Sequence, residues 1–204
     1  YAFEFGYEGV QPALYVNRRP AMNAPSQPAP RAPAALWIGP APANDRNRLV
    51  NLCRAGRVRA QAIAQGPTPN TPDKLVDGLS GLSMRMDHFW MAQAPERSRE
   101  PIWAEIDLGA TALVSRIEIV HAEAIGFSWH FNTADFTVAG RQGTSGFWSP
   151  LAKIENNRQE RTWIELPRPA PLRQIRLEIT RPNHFVGNPI ARVAEIAIWG
   201  KAQK

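Results

Sequence analysis

The chain has a single cysteine, Cys53, among its 204 residues, so it forms no intrachain disulfide and cannot be a disulfide-stapled secreted scaffold. No stretch approaches the roughly 20 apolar residues of a membrane helix. The residues from Tyr1 onward lack the basic start and apolar centre of a signal peptide. They do not begin with Met, so export stays open. Lys and Arg exceed Asp and Glu, 24 to 18, yet the basic residues are scattered, and there is no specific nucleic-acid signal. There is also no nucleophile elbow, phosphate-binding glycine loop or H-E-x-x-H zinc pair. His88, His121, His130 and His184 are dispersed and give no metal-ligand spacing. Glu105 and Asp107 share a strand face, an ordinary solvated arrangement. Cys53, near Arg54 and Arg57, reads either as an activated thiol or, more simply, as a small buried hydrophobe. These absences argue against an enzyme.

What the chain has instead is proline and tryptophan, 19 and 7 residues, with short alternating apolar runs. Turn-forming prolines and strand aromatics favour an all-β fold. In Leu172 to Asn183, Ile175, Leu177 and Ile179 fall on one parity, with Arg176, Glu178 and Thr180 on the other. That is the period of a half-buried strand. Ala191 to Gly200 alternates similarly, with Ala194, Ile196 and Ile198 on one face. Upstream runs at Val58 to Ala64, Pro101 to Gly109, Leu113 to His121, Ala134 to Gly140 and Thr162 to Leu166 predict further strands of a β-sandwich, with a jelly roll as one form. Glu96 to Glu100 and the proline-rich Pro167 to Pro171 read as connectors.

Residues 1–50 have a different texture. Tyr1, Phe3, Phe5 and Tyr7 share a parity, and Pro20 to Pro42 favours an extended strap with an apolar interruption at Ala35 to Ile38. The expected organisation is therefore an N-terminal arm over residues 1–50, either a disordered linker or an attachment device, and a β-sandwich domain over 51–204.

From Asn51 to Gly200 the chain resembles the discoidin family, the coagulation factor 5/8 C-type domains, and the related carbohydrate-binding module family 32. The matching stretches are Asn51 to Ala64, Leu75 to Gly78, Ile102 to Gly109, Arg116 to Val120, Ala134 to Gly140, Leu172 to Asn183 and Ala194 to Gly200. The resemblance implies a galactose-binding-like jelly-roll sandwich that binds glycans, lipids or proteins through loops at one end, without catalysis. It makes Trp90 the core tryptophan. It also implies a structural calcium held by Asp77 and Glu195, although Leu79 stands where the family has a further aspartate. Calcium takes oxygen ligands, which carboxylates and turn carbonyls supply. The alternative is that Asp77 caps the turn before Gly78 while Glu195 meets an arginine or solvent.

A sugar presents apolar C–H faces and a rim of hydroxyls, so its site combines an aromatic ring with hydrogen-bonding side chains. Ala124 to Asp135 offers Trp129, His130 and Asn132 in that combination. A competing reading makes Phe127, Trp129 and Phe131 the buried face of a strand. The loop Arg181 to Arg192 adds His184 and Phe185, the loop Glu155 to Arg161 adds Arg158, and Gly146 to Pro150 carries Trp148. His88 lies in a long Met-rich segment with Arg85 and Asp87 as possible loop-end groups, its methionines Met84, Met86 and Met91 serving to fill packing gaps. Trp103, Trp163 and Trp199 are assigned to structure. The expected function is a non-catalytic carbohydrate-binding or adhesion module for a glycan or glycoconjugate, acting outside the cell, at its surface or in the periplasm. The alternative is a structural subunit of a surface or virus-like assembly, self-assembling or meeting a protein partner through residues 1–50.

Overall fold

The computed structural model describes residues 49–55, 57–60, 70–79, 88–93 and 100–202. Of the arm expected over residues 1–50, residues 1–48 lie outside the described residues, as do Met84, Arg85, Met86 and Asp87.

Among the described residues, eight strands make the domain: β1 (Val50–Asn51), β2 (Arg57–Ala60), β3 (Trp90–Gln93), β4 (Ile102–His121), β5 (Asp135–Arg141), β6 (Ser149–Ile154), β7 (Arg161–Arg181) and β8 (Ile190–Ala202). Every pairing is antiparallel. Two strands of unusual length, β4 with 20 residues and β7 with 21, serve both layers. The first part of β4, Ile102 to Asp107, lies between β2 and the end of β7. Beyond a register break, Ala112 to Val120 lies between the start of β7 and β8. β5 and β6 extend the first layer past β7, and β1 and β3 edge β8 in the second. The break falls at Gly109, whose φ of +82° suits glycine, and Asp107 Oδ1 accepts the Gly109 N–H at 2.8 Å. The result is an all-β sandwich in which the layers share two bent strands.

Expected alternation is met on β7, where Ile175, Leu177 and Ile179 are buried. It is met again on β4, where Ile102, Ala104 and Ile106 point inward. Burying side chains of this size stabilises by roughly 1.5–3 kcal/mol each. Trp90 and Cys53 are fully buried in the same core. Burial pushes the Cys53 thiol far above its ordinary range, so it is a packed hydrophobe and not a nucleophile.

Three sequence expectations need correction. Leu113 to His121 and Pro101 to Gly109 are one strand, and Thr162 to Leu166 continues into Leu172 to Asn183 through the expected connector. Pro167 and Pro169 are accommodated in the register shift between the Glu165 and Ala170 pairings with β4, while Pro171 stays in register opposite Leu113. β8 does not alternate: Val193 through Ile198 are all buried. A second cluster of Phe89, Val120, Ile125 and Ala194 covers its other side. Trp163 belongs to a strand but is 47% exposed, with the Arg116 guanidinium 5.3 Å above its ring. Among the described residues no helix is long and apolar enough to cross a membrane.

Gly200 sits where a Cβ would lie 2.3 Å from the Leu113 carbonyl oxygen, a backbone atom that the β4 ladder fixes. Gly200→Ala is expected to destabilise the domain by about 1–3 kcal/mol in urea unfolding. Gly143→Ala, whose added carbon would meet only Ser145 backbone at 3.8 Å or more, should be near neutral. His121 is fully buried, its Nε2 2.9 Å from Thr162 Oγ1, and burial lowers its pKa from 6.5 to about 3. The unfolded chain therefore takes up this proton first as pH falls. His121 contributes stability above about pH 6.5 that is lost progressively towards pH 3. Chemical denaturation from pH 7 to 4 should show this loss, and His121→Gln should flatten the slope; an unchanged slope would refute the assignment.

Candidate functional site

The segment after β4 is not a strand. It forms two single-turn 3-10 helices, Ala122–Ile125 and Trp129–Phe131, joined through Gly126 at φ +101°. Ser128 caps the second: its hydroxyl faces His130 Nδ1 at 2.9 Å, and its carbonyl accepts the Phe131 N–H at 2.9 Å. The turn breaks the alternation that would have buried Phe127, Trp129 and Phe131 together, and all three are half-buried. Phe127 packs against the Phe89 cluster, leaving Trp129 and Phe131 nearer the surface.

Trp129 and His130 stack with ring centroids 3.8 Å apart. His184 lies 5.1 Å from Trp129, and Phe185 lies 5.2 Å from His130 and 4.7 Å from Phe131. The exposed Arg158 guanidinium sits 5.0 Å from the Trp129 ring. Three separate loops thus bring Trp129, His130, His184, Phe185 and Arg158 together. A groove of about 410 Å³ runs beside them, lined by residues 181–189. The His130 amide carbonyl accepts the His184 N–H at 2.8 Å, so the two loops are joined through their backbones. His184 Nε2 donates to the Asn157 carbonyl at 2.6 Å, which leaves Nδ1 as the acceptor of the neutral ring. His130 Nε2 has no partner among the described residues, so it is available to a ligand hydroxyl.

Asn132, expected among the ligand-contacting groups, is instead fully buried. Its Oδ1 accepts the Glu123 N–H at 2.8 Å, and its Nδ2 donates to Glu123 Oε2 at 3.1 Å and the Gln159 carbonyl at 3.2 Å. With both ends of the amide engaged internally, Asn132 ties the turn that carries Trp129 and His130 to Glu123 and the 155–160 loop. Two further buried asparagines, which sequence reading missed, do the same. Asn157 Nδ2 donates to the Thr133 carbonyl at 3.0 Å, and its Oδ1 accepts the Gln159 N–H at 3.0 Å. Asn183 Nδ2 donates to the Asn188 and Ile190 carbonyls at 3.0 and 2.9 Å, closing the loop that carries His184 and Phe185. Beneath that loop, Arg181 holds Asp135 through two 2.8 Å contacts. This pairing, with the Asn156 N–H, keeps the Asp135 carboxyl below its ordinary pKa.

His88 is placed with Asp77, its Nδ1 3.5 Å from Asp77 Oδ2. Asp77 and Glu195 do meet, around Gly78. The Gly78 N–H faces both Glu195 oxygens at 3.3 and 3.1 Å, and the Leu79 N–H donates to Asp77 Oδ1 at 2.9 Å. Calcium requires six to eight oxygens. Here backbone N–H groups and an imidazole nitrogen face the carboxylates, and no metal-holding group of three or more acidic, His or Cys residues occurs among the described residues. This donor set fits a hydrogen-bonded turn and does not, as arranged, fit calcium.

Residues 74–177, just over half of the chain, match the family model described as a NedA-like, galactose-binding domain. A search of curated protein sequences found no match. Among solved structures, the family 32 carbohydrate-binding module from Streptococcus pneumoniae EndoD is similar at 18% identity and TM-score 0.60, covering 74% of this chain and 100% of its own. The family 32 module from C. perfringens NanJ, solved in complex with galactose, is similar at 16% identity and TM-score 0.53, covering 74% of this chain and 98% of its own. A Streptococcus pneumoniae fucose binding module matches at 17% identity and TM-score 0.54, covering 75% and 96%. A Ruminococcus gnavus GH29 fucosidase matches over 76% of this chain but only 27% of its own length, at 16% identity and TM-score 0.56. With its galactose-binding-like sandwich and the family match across β4, β5 and β6, the chain belongs to the NedA-like galactose-binding domains of the F5/F8 type C group.

Proposed function

We propose that this chain is a non-catalytic glycan-binding module that takes a sugar on the Trp129–His130 platform. The observation that carries the reading is the stacked pair itself. A partly exposed indole offers an apolar face, and hydrogen-bonding groups from two other loops surround it. A pyranose laid on Trp129 would bury its C–H face there, with His130 Nε2, His184 and Arg158 arranged to meet its hydroxyls. Galactose and fucose are the first sugars to test, because structurally similar modules are described with them. The histidines serve hydrogen bonding in this reading: His184 Nε2 is engaged by the Asn157 carbonyl, and the Ser128 hydroxyl beside His130 caps the 3-10 turn. Such a module works where glycans are displayed, at or outside a cell surface, and it would bring an attached protein to that surface. We also propose that the Asp77–Gly78–Glu195 corner holds itself by hydrogen bonds without a metal.

Calorimetric titration with galactosides and fucosides should detect binding, and Trp129→Ala should weaken it at least about tenfold, roughly 1.4 kcal/mol. The thermal midpoint should change little, because Trp129 lies outside the main core. Absence of binding across a broad glycan array would sink the assignment. Removal of calcium with a chelator should leave both affinity and midpoint unchanged. A midpoint several degrees higher in calcium would instead make Asp77 and Glu195 metal ligands.

A further inference from the structure

The row of rings at the binding end continues beyond the proposed sugar platform and ends on a second guanidinium. Phe185 bridges His130 to Phe131, and Arg192, at the start of β8, lies over Phe131 with its guanidinium carbon 4.7 Å from the ring centroid and 5.9 Å from that of Phe127. Arg192 is half-buried, and burial lowers its pKa from the ordinary arginine value, though an arginine stays charged at any physiological pH.

Its surroundings do not neutralise it. Nη1 donates to the Ile190 carbonyl at 3.4 Å, and no carboxylate pairs with it among the described residues. Among the described carboxylates, Asp135 is engaged with Arg181, Glu118 with Arg161, and Glu123 with the Asn132 amide. Glu160 is exposed in the loop that carries Arg158. Arg181 and Arg161 thus have acids, whereas among the described residues Arg192 meets the Ile190 carbonyl and two phenyl rings. No Arg192 nitrogen is among the described buried polar atoms left without a partner, so its remaining donors reach solvent, and its planar fork matches a carboxylate in two-pronged geometry. The aromatic bed fixes the plane of that fork.

We propose that the site accepts an acidic glycan, a carboxylated sugar whose neutral part lies on Trp129 while its carboxylate is held by Arg192 across Phe185 and Phe131. This rests on the glycan-binding reading and adds to it the charge of the ligand and the residue that reads it. Uronic and sialic acids share the required chemistry. Arg158, 5.0 Å from the Trp129 ring, is then a hydroxyl-binding group of the platform and not the carboxylate reader.

The test uses matched pairs on the whole chain by calorimetry: a digalactoside against digalacturonic acid, and lactose against sialyllactose. The expected result is at least a roughly tenfold preference for the acidic member of one pair, the scale of a charge-assisted hydrogen-bonded contact. Which pair shows it distinguishes a uronic from a sialic source. Arg192→Gln should remove that preference while keeping the affinity for the neutral member. Arg192→Lys, which keeps the charge and the stem but loses the fork, should retain only part of it. Should Arg192→Gln fail to fold, the Lys variant and the salt dependence of the wild-type preference carry the test. Binding of neutral and acidic members with equal affinity overturns the acidic ligand and leaves the glycan reading standing. So does a preference unchanged in the Arg192 variants. Binding of neither member of either pair overturns both.

Discussion

Three buried asparagine side chains hold the binding end together. Asn132, Asn157 and Asn183 each sit inside the protein and bond backbone groups that no strand ladder satisfies. Leaving one such buried group unpaired costs about 1–3 kcal/mol, so each amide is both a fastener and a penalty against rearrangement. The aromatic and basic groups above them owe their positions to these fasteners. His184, for example, reaches the Asn157 carbonyl only because Asn157 itself is held by Thr133 and Gln159.

The sandwich beneath supplies the fixed ends of those loops. Because β4 and β7 run through both layers, the points where the chain enters and leaves the binding end belong to the most extensively paired strands of the domain. β4 ends at the buried His121, directly before the first 3-10 turn, and β7 ends at Arg181, directly before the His184 loop. Small shifts in the core would therefore be felt at the platform, while changes at exposed ring edges need not disturb the core.

Much of this was legible in sequence, and what was not has physical reasons. The alternation of Ile175, Leu177 and Ile179 follows directly from one buried strand face. The loops bearing Trp129, His184, Phe185 and Arg158 were recognisable by their residue types, and the resemblance to discoidin-like modules suggested that they meet. Strand length was not legible, because a bulge absorbs Pro167 and Pro169 without ending β7. Phe127, Trp129 and Phe131 mimic a strand because a 3-10 turn can also carry aromatics at alternate positions, and only the Ser128 cap hints otherwise. Asn132 was read as a ligand group because an amide suits a sugar hydroxyl as well as a backbone. Arg192 gave no signal at all: its stacking on Phe131 and Phe127 joins residues about sixty positions apart, which no sequence window reveals.

The backbone bond from His184 to the His130 carbonyl has a consequence for how such modules diversify. It makes two loops, more than fifty residues apart in the chain, a single mechanical piece, with the 155–160 loop clasped beneath. Altering one loop alone would tear an amide from its acceptor, so new specificities are reached most readily by exchanging side chains on a preserved frame. Transplanting this binding surface to another sandwich would require moving the three segments together with their asparagines.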